Sequence, residues 1–365
     1  MNLLFVIASF AVTILAWGMY GPVLHWGQHA MSTTGGMASL RPFVCVGLAY
    51  FGIGVAVPAV LLKMRGEAGD WTVKGILFSL AGGALGAIGA LGIVLAFKLG
   101  GKPVYVMPLV FGGAPVVNAF LTIYLAGKMK EIGSIFIAGM IMVLLGATTV
   151  LVAKPSPPTP EKTAPAAEST VAEVEGAVVA EAHTFRDWVL RIAAIGLVIC
   201  CWGSYGPVLH IGQAAMHHSR LRPLICVGLA YFAIAVIVGN LWLAATGEAS
   251  EYNFLGTLWS LAGGAAGAIG ALGIIMAFNF GGRPVYVMPL VFGGAPVVNT
   301  LFTTTMNGLW SEINALFVAG LLLVIAGAAI VLVFAPRGAP PPKKTIPEPE
   351  PEPVPIEPVL DSPPE

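Results

Sequence analysis

Long apolar runs separated by short polar segments extend from residue 3 to residue 335, with one longer polar interval between residues 153 and 187. Each run has about 20 residues or slightly more, which is enough for a helix to cross a hydrocarbon core of about 30 Å. Backbone groups in lipid must be hydrogen-bonded within their own segment, so we expect every run to be a helix. The runs cover approximately 3–24, 42–62, 73–97, 103–126 and 132–153, then 187–209, 223–245, 255–278, 284–306 and 313–335. The pattern predicts an all-α integral membrane protein with ten transmembrane helices.

The ten runs form two sets of five because the second half of the sequence repeats the first. Segment 100–118, GGKPVYVMPLVFGGAPVVN, returns as 281–299 with a single Lys-to-Arg difference. Segments 79–97 and 260–278 differ at three of nineteen positions. Equivalent positions are 181 residues apart from Leu40 onward and 185 residues apart before it. Each half is therefore predicted to fold as the same five-helix unit.

Five crossings is an odd number, so the second repeat must enter the membrane from the side opposite to the first. The two repeats are then related by a two-fold axis in the membrane plane. Secondary transporters use this inverted arrangement and bind their solute near mid-membrane, between the repeats. The helix count thus predicts a secondary transporter that works by alternating access.

The composition agrees with a membrane protein and excludes several other classes. Of the 365 residues, 57% are hydrophobic and 10% charged, and the mean hydropathy is +0.87, whereas soluble domains carry about 25% charged residues. A net charge of zero gives no reason to expect a nucleic-acid partner. The chain contains no P-loop, H-E-x-x-H or nucleophile-elbow motif, and its four cysteines lack metal-binding spacing. We expect no enzyme activity, no catalytic residue, no cofactor and no metal; the expected partners are the lipid bilayer and a small-molecule solute.

The polar segments divide the chain into four parts. The repeats occupy 1–153 and 187–336, a disordered linker is expected at 154–186, and a disordered Pro/Glu-rich tail at 337–365. Eleven Lys and Arg residues lie on the side of the amino terminus and seven on the other side, which places both termini in the cytoplasm, at the cytoplasmic (plasma) membrane. The alternative function is a non-transporting membrane scaffold that acts through its linker and tail.

The fourth and ninth runs contain a Gly-Gly-Ala-Pro sequence that predicts a broken helix. Proline removes a hydrogen-bond donor, and glycine adds backbone freedom beside it. The expected hinge residues are Gly112, Gly113, Pro115, Gly293, Gly294 and Pro296. Asn118 and Asn299 follow one turn later on the same face, where an amide suits a neutral polar solute. The alternative is a packing kink in which each asparagine bonds a neighbouring helix.

The first and sixth runs share the motif Trp-Gly-x-Tyr-Gly-Pro followed by His. Its aromatic residues could anchor the helix at the membrane interface or present rings and a hydroxyl to a solute. The candidate solute-binding residues are Trp17, Tyr20, Trp202 and Tyr205. Histidine ordinarily titrates near neutral pH, so His25 and His210 are candidates for a proton relay, the alternative being hydrogen-bonded structural histidines.

Two further features have mainly structural interpretations. Small residues at helical spacing in the third and eighth runs, such as Gly82, Gly86 and Gly89, predict close helix–helix approach. Arg41 and Arg222 precede a proline at the start of the second and seventh runs. They are expected to extend toward the interface, or alternatively to capture an anionic solute.

These motifs resemble the drug/metabolite transporter superfamily, in its ten-helix EamA-like type. The Trp-Gly-x-Tyr-Gly-Pro turn at 17–22 and the GG[KR]P link at 100–103 look like the glucose/ribose/rhamnose porter branch of that superfamily. The resemblance implies two inverted five-helix repeats and transport of a sugar-like metabolite, often with protons. The chain departs from that pattern in its nearly identical halves and in the lack of a charged residue at mid-membrane.

Overall fold

The computed structural model describes residues 3–33, 36–125, 127, 129–153, 155, 185–217, 219–280 and 284–334. Among these residues the regular structure is helical, apart from the isolated bridges Ser32–Ser250 and Thr33–Gly36. The linker predicted at 154–186 lies almost wholly outside the described residues, and so does the tail predicted at 337–365. An all-α fold is thus confirmed for the part of the chain that the structure describes.

The helices follow the apolar runs closely. In the first half they are α1 (Leu3–Met31), α2 (Leu40–Phe51), α3 (Val57–Arg65), α4 (Val73–Lys98), α5 (Pro103–Leu125) and α6 (Ser134–Val152). In the second half they are α7 (Phe185–Ala215), α8 (Leu221–Tyr231), α9 (Gly239–Thr246), α10 (Phe254–Asn279), α11 (Pro284–Asn307) and α12 (Ala315–Phe334).

Seven helical segments among the described residues are long and apolar enough to cross a membrane. They are Leu3–Met31, Leu40–Met64, Val73–Lys98, Pro103–Leu125, Phe185–Ala215, Leu221–Thr246 and Phe254–Ile274. Ser134–Val150 and Ala315–Val331 are shorter apolar helices. These segments indicate an integral membrane protein, as the hydropathy pattern predicts.

The second helical segment of each half contains a π-helical stretch that the sequence analysis did not predict. Gly52–Ala56 joins α2 to α3, and Phe232–Val238 joins α8 to α9. The wider turn shifts the faces that the two joined helices present to their neighbours, and π-helical turns are frequent at functional sites. The stretches lie at equivalent places in the two repeats, so they belong to the repeated fold.

The proline-containing helices are continuous, which corrects the predicted breaks. α5 continues through Pro108 and Pro115, α1 through Pro22 and α7 through Pro207, and α11 includes Pro296 in the same way. Each proline removes one backbone hydrogen bond, while the bonds of the flanking turns hold the helix together. The prediction that the helices of the fourth and ninth apolar runs, α5 and α11, are broken is therefore wrong.

The two halves pack on each other through glycine-rich helices. A Cβ added to Gly270 in α10 would lie 2.1 Å from Cδ1 of Trp17 in α1. At the equivalent contact, a Cβ added to Gly89 in α4 would lie 2.2 Å from Cδ1 of Trp202 in α7. These distances leave no room for a side chain, so the predicted close approach of small-residue rows is confirmed.

Candidate functional site

The tryptophans of the repeated motif bind helices of the opposite half. Nε1 of Trp17 donates to the Gly267 carbonyl at 3.1 Å, and Nε1 of Trp202 donates to the Gly86 carbonyl at 3.2 Å. Both indoles are half-buried inside the helix bundle. They pack between helices of the two halves; the alternatives of an interfacial anchor and of a contact to a solute stay predictions.

Aromatic rings from α1 and α5 of the first half and from α7 and α11 of the second half form one cluster, here called the aromatic cluster. Its members are Trp17, Tyr20, Phe111, Trp202 and Phe292. The ring centroid of Phe111 is 6.4 Å from that of Phe292 and 6.5 Å from those of both tryptophans. The sequence analysis missed the two phenylalanines, although they lie inside the nineteen-residue segment that both halves share.

Tyrosine side chains extend this cluster between the halves. The rings of Tyr50 and Tyr231 stack with centroids 3.7 Å apart and an angle of 2° between their planes. Tyr20 is 4% exposed, and its hydroxyl has no hydrogen-bond partner in the protein. Tyr205 is half-buried and packs against the same core. Because a buried hydroxyl without a partner is unfavourable, the Tyr20 hydroxyl is a natural contact for water or a polar ligand.

The two predicted asparagines have different environments despite their identical sequence context. Asn299 is fully buried, and its Nδ2 donates to the Pro103 carbonyl at 2.9 Å. Asn118 is half-buried, and its Nδ2 is 2.6 Å from the position of a Cβ added to Gly206. Asn299 thus forms the bond to a neighbouring helix that the alternative describes, at the start of α5; a solute-binding role for the two asparagines stays a prediction.

Other equivalent positions also differ between the halves, but there the residue of the first half is the more buried one. Leu109 is 7% exposed, whereas its counterpart Leu290 is 48% exposed. Gln28 is fully buried and donates to the Val94 carbonyl at 3.1 Å, while Gln213 is half-buried. Equivalent positions of matching sequence thus occupy different environments in the two halves; the first half has the more buried member at Leu109 and Gln28, and the second half at Asn299.

The predicted histidines lie at opposite ends of the bundle. His25 is half-buried beside His29, with their Nε2 atoms 3.2 Å apart, and its ring meets Phe97 edge-on at 5.0 Å. His210 is exposed near the end of α7. α1 runs antiparallel to α5, because Gly21 lies against Met107 and the ring of Trp17 lies against that of Phe111. α7 runs parallel to α5, because Gly113 lies against Ile199 and Gly203 lies against Val117. α1 and α7 therefore run in opposite directions. The structure does not bring the two histidines together, and the sequence analysis missed His29.

The predicted hinge glycines pack against other helices. A Cβ on Gly112 would lie 2.2 Å from Val324, and one on Gly113 would lie 2.7 Å from Ile199. In the second half, Gly294 would meet Ile14 at 2.9 Å and Gly293 would meet Ile325 at 3.3 Å. These glycines allow close packing; their role as hinges beside Pro115 and Pro296 stays a prediction.

Each half also caps a helix of the other half with a glutamate. The Glu248 carboxylate accepts from the backbone N–H of Ser39 at 3.0 Å and of Leu40 at 3.1 Å, at the start of α2. It also accepts from the Ser39 hydroxyl and forms an ion pair with Lys98 at 3.1 Å. Glu67 accepts equivalent bonds at the start of α8, from Arg220 N at 2.9 Å and Leu221 N at 3.1 Å.

Burial by itself would raise the pKa of the Glu248 carboxyl. The hydrogen bonds from Ser39, Ser250 and Lys98 outweigh that effect and lower the pKa to about 2. Glu248 is therefore a carboxylate throughout the neutral range.

Arg41 and Arg222 lie in the first turns of the capped helices α2 and α8, and they bind the loops that carry the capping glutamates. Nη1 of Arg41 donates to the Glu248 carbonyl at 3.1 Å and to the Ser250 hydroxyl. Nη1 of Arg222 donates to the Glu67 carbonyl at 3.3 Å. Both side chains therefore hold the other half; their expected extension toward the membrane interface stays a prediction.

A cavity of about 300 Å³ lies beside the Glu248 carboxylate and is bordered by Lys98, Glu248, Leu95 and Trp242. None of the residues of the aromatic cluster lines it. Within the described residues, no three His, Cys, Asp or Glu side chains are grouped so that they could hold a metal ion.

No family model and no curated protein matches the chain. Among solved structures, one described only as "Crystal structure of protein" is similar with a TM-score of 0.52 and 18% sequence identity. The match covers 90% of this chain and 99% of that one. At this identity the similarity shows a shared fold alone.

Proposed function

We propose that the chain is a secondary transporter that moves a small, neutral, polar solute across the membrane by alternating access. The observation that carries this proposal is the pair of unlike environments taken up by nearly identical repeats. The proposal includes ten transmembrane helices in two inverted five-helix repeats, with both termini in the cytoplasm, at the plasma membrane.

Reciprocal contacts between the halves support the inverted arrangement. In α6 and α12, a Cβ on Gly139 would lie 3.1 Å from the Gly327 carbonyl, and one on Gly146 would lie 2.8 Å from the Gly320 carbonyl. Gly320 is equivalent to Gly139, and Gly327 is equivalent to Gly146. Exchanging the two halves therefore turns each of these contacts into the other. Such antiparallel exchange is expected when a two-fold axis lies perpendicular to helices that span the bilayer.

The unequal exposure of the halves supports alternating access. Leu109 in α5 and Leu290 in α11 have the same sequence context but different exposed fractions. The exposed fractions differ because the packing around α5 differs from the packing around α11. Since the repeats are almost the same sequence, an arrangement in which they exchange environments should be close in free energy. If the repeats exchanged environments, a site between them would close on the side of the membrane where it was open and would open on the opposite side.

The chemistry between the halves suits a neutral polar solute. Aromatic faces, the Tyr20 hydroxyl and the Asn118 carboxamide are available there, and the described membrane-spanning segments carry no Asp or Glu apart from Asp187, in the first turn of α7. Aromatic rings that pack on a solute and a few polar groups that orient it are typical of small-molecule sites. A sugar-like metabolite would fit both this chemistry and the resemblance to drug/metabolite transporters.

Replacing both asparagines tests the proposal. Asn118→Leu combined with Asn299→Leu should reduce solute uptake into proteoliposomes at least about tenfold, because an apolar side chain cannot replace the lost polar contact. Asn240→Leu is the matched control, since Asn240 is exposed and its Nδ2 bonds only the Val236 carbonyl of its own helix. Normal uptake by a correctly inserted double variant would remove the site assignment.

A further inference from the structure

The second repeat has a buried polar face that the first repeat lacks. On α11, directly after the segment shared by both repeats, the side chains of Asn299, Thr300, Thr303 and Thr304 are all at most 6% exposed. The equivalent positions of the first repeat are Asn118, Ala119, Thr122 and Ile123. Two of the three hydroxyls are thus absent from the first repeat, and the third, on Thr122, is on an exposed residue.

The three buried threonines do not form the hydrogen bond that is usual for threonine in a helix. Thr305, the next residue, donates to the Leu301 carbonyl four positions earlier at 2.7 Å. Thr148 and Thr149 form the same bond in α6. The hydroxyls of Thr300, Thr303 and Thr304 have no hydrogen-bond partner in the protein. Unlike the hydroxyl of Thr305, they are not bonded to a carbonyl of their own helix, so their hydrogen-bonding capacity is unused.

Packing alone does not require hydroxyls at these positions. In the first repeat, Ala119 and Ile123 are buried in an apolar cluster with Phe136 and Val331. A buried hydroxyl without a partner destabilises the folded protein relative to an apolar side chain of the same shape. Three such groups on one face are therefore better explained by a partner that occupies the face during function.

The donors and acceptors of this face define the partner. The Nδ2 of Asn299 is already bonded to the Pro103 carbonyl, whereas its Oδ1 has no partner and can only accept. Each threonine hydroxyl can donate one bond and accept others. A hydroxyl, which both donates and accepts, can satisfy each of these groups, and α11 carries no charged residue that would select an ion.

We propose that Asn299, Thr300, Thr303 and Thr304 form a subsite for the hydroxyl groups of the transported solute, present in the second repeat only. The proposal rests on the proposed transport function and deepens it by placing the selectivity for hydroxylated solutes on α11.

Threonine-to-valine substitutions test the subsite because valine keeps the shape and removes the hydroxyl. The variants are Thr300→Val, Thr303→Val and Thr304→Val, with Thr303→Ser as a conservative variant that keeps the hydroxyl. The matched controls are Thr305→Val, at an exposed residue of the same helix, and Thr122→Val, at the first-repeat equivalent of Thr303. Uptake into proteoliposomes is measured with glucose, xylose and glycerol as hydroxylated probes and with acetamide as a probe without hydroxyls. Thermal unfolding in detergent is measured without a probe.

We expect each buried valine variant to raise the KM for a transported hydroxylated probe about tenfold, as the loss of one hydrogen bond would do. Without a probe, the same variants should unfold at a higher temperature than the wild type. Thr303→Ser and the two controls should keep the wild-type KM.

Valine variants that gain thermal stability but keep the wild-type KM would overturn the subsite, because the hydroxyls would then contact only ordered water. Wild-type uptake of acetamide in preference to the hydroxylated probes would also overturn it, while leaving the transporter proposal intact. Uptake of no solute by the wild type would instead contradict the proposed function, and the subsite with it.

Discussion

At the scale of single residues, Glu248 joins the two halves at the start of α2. Its carboxylate, with 8% of the side chain exposed, accepts hydrogen bonds from residues that are more than 200 positions earlier in the chain. A charged acceptor at a helix amino terminus satisfies N–H groups that have no partner within the helix and interacts favourably with the helix dipole. The contact therefore both caps α2 and holds the second half to it.

The low pKa of Glu248 predicts how its contribution depends on pH. The folded pKa of about 2 lies below the ordinary value of 4.5, so the stabilisation is complete above about pH 4.5 and is lost as the pH falls toward 2. Glu248→Gln should lower the free energy of unfolding by about 1–3 kcal/mol at neutral pH and should flatten its fall between pH 4.5 and 2. Unfolding in detergent across this range measures both effects.

Glu251→Gln provides the control for this experiment, because Glu251 is an exposed carboxyl in the same loop. It should keep the pH dependence of the wild type. If Glu248→Gln also kept it, the carboxylate would not be the group responsible.

At the scale of helices, glycine determines how closely the two halves approach. The rows in α4 and α10 accept the tryptophan rings of α7 and α1, and the indole N–H groups bond the carbonyls that the missing side chains leave accessible. In a membrane, where lipid is as apolar as a leucine side chain, such close packing and hydrogen bonding drive helix association.

Gly89→Ala tests this contact. The added Cβ would lie 2.2 Å from Trp202, so the bulky ring must move, and we expect a loss of about 1–3 kcal/mol in the free energy of unfolding. Gly196→Ala in α7 is the control, because no heavy atom lies within 4 Å of its added Cβ. There alanine should leave stability unchanged or raise it by up to about 1 kcal/mol through its higher helix propensity. Equal effects of the two substitutions would contradict the packing role of Gly89.

At the scale of the whole molecule, the function depends on how the two halves are oriented in the bilayer. The reciprocal contacts of α6 with α12 fit halves that run in opposite directions. An inverted arrangement places the linker, 154–186, and the tail, 337–365, on opposite sides of the membrane. Alternating access through a site shared by the repeats requires this geometry.

Cysteine labelling measures that orientation directly. Ser169→Cys and Ser362→Cys are introduced separately into a chain whose four natural cysteines are replaced. A membrane-impermeant maleimide should label position 169 in intact cells and position 362 only after permeabilisation, because the tail is expected in the cytoplasm. Labelling of both positions from the same side would contradict the inverted arrangement and the transport mechanism that depends on it.

The sequence by itself determined the helices, the repeat and the close approach of glycine-rich rows. These features follow from local requirements: a run of about 20 apolar residues must satisfy its backbone internally, and glycine leaves space wherever a helix passes. The positions of Trp17 and Tyr20 between the halves could also be anticipated, since their motif occurs once in each repeat.

Only the tertiary structure decided which environment each repeat occupies. Asn118 and Asn299 end the same nineteen-residue segment, so this shared segment cannot assign burial and a bond to Pro103 to one of them. The bonds of Glu248 to Ser39 and the uninterrupted helix at Pro115 likewise depend on neighbours far along the chain. Two nearly identical segments differ here because long-range packing is a property of the assembled fold, which a local sequence pattern does not encode.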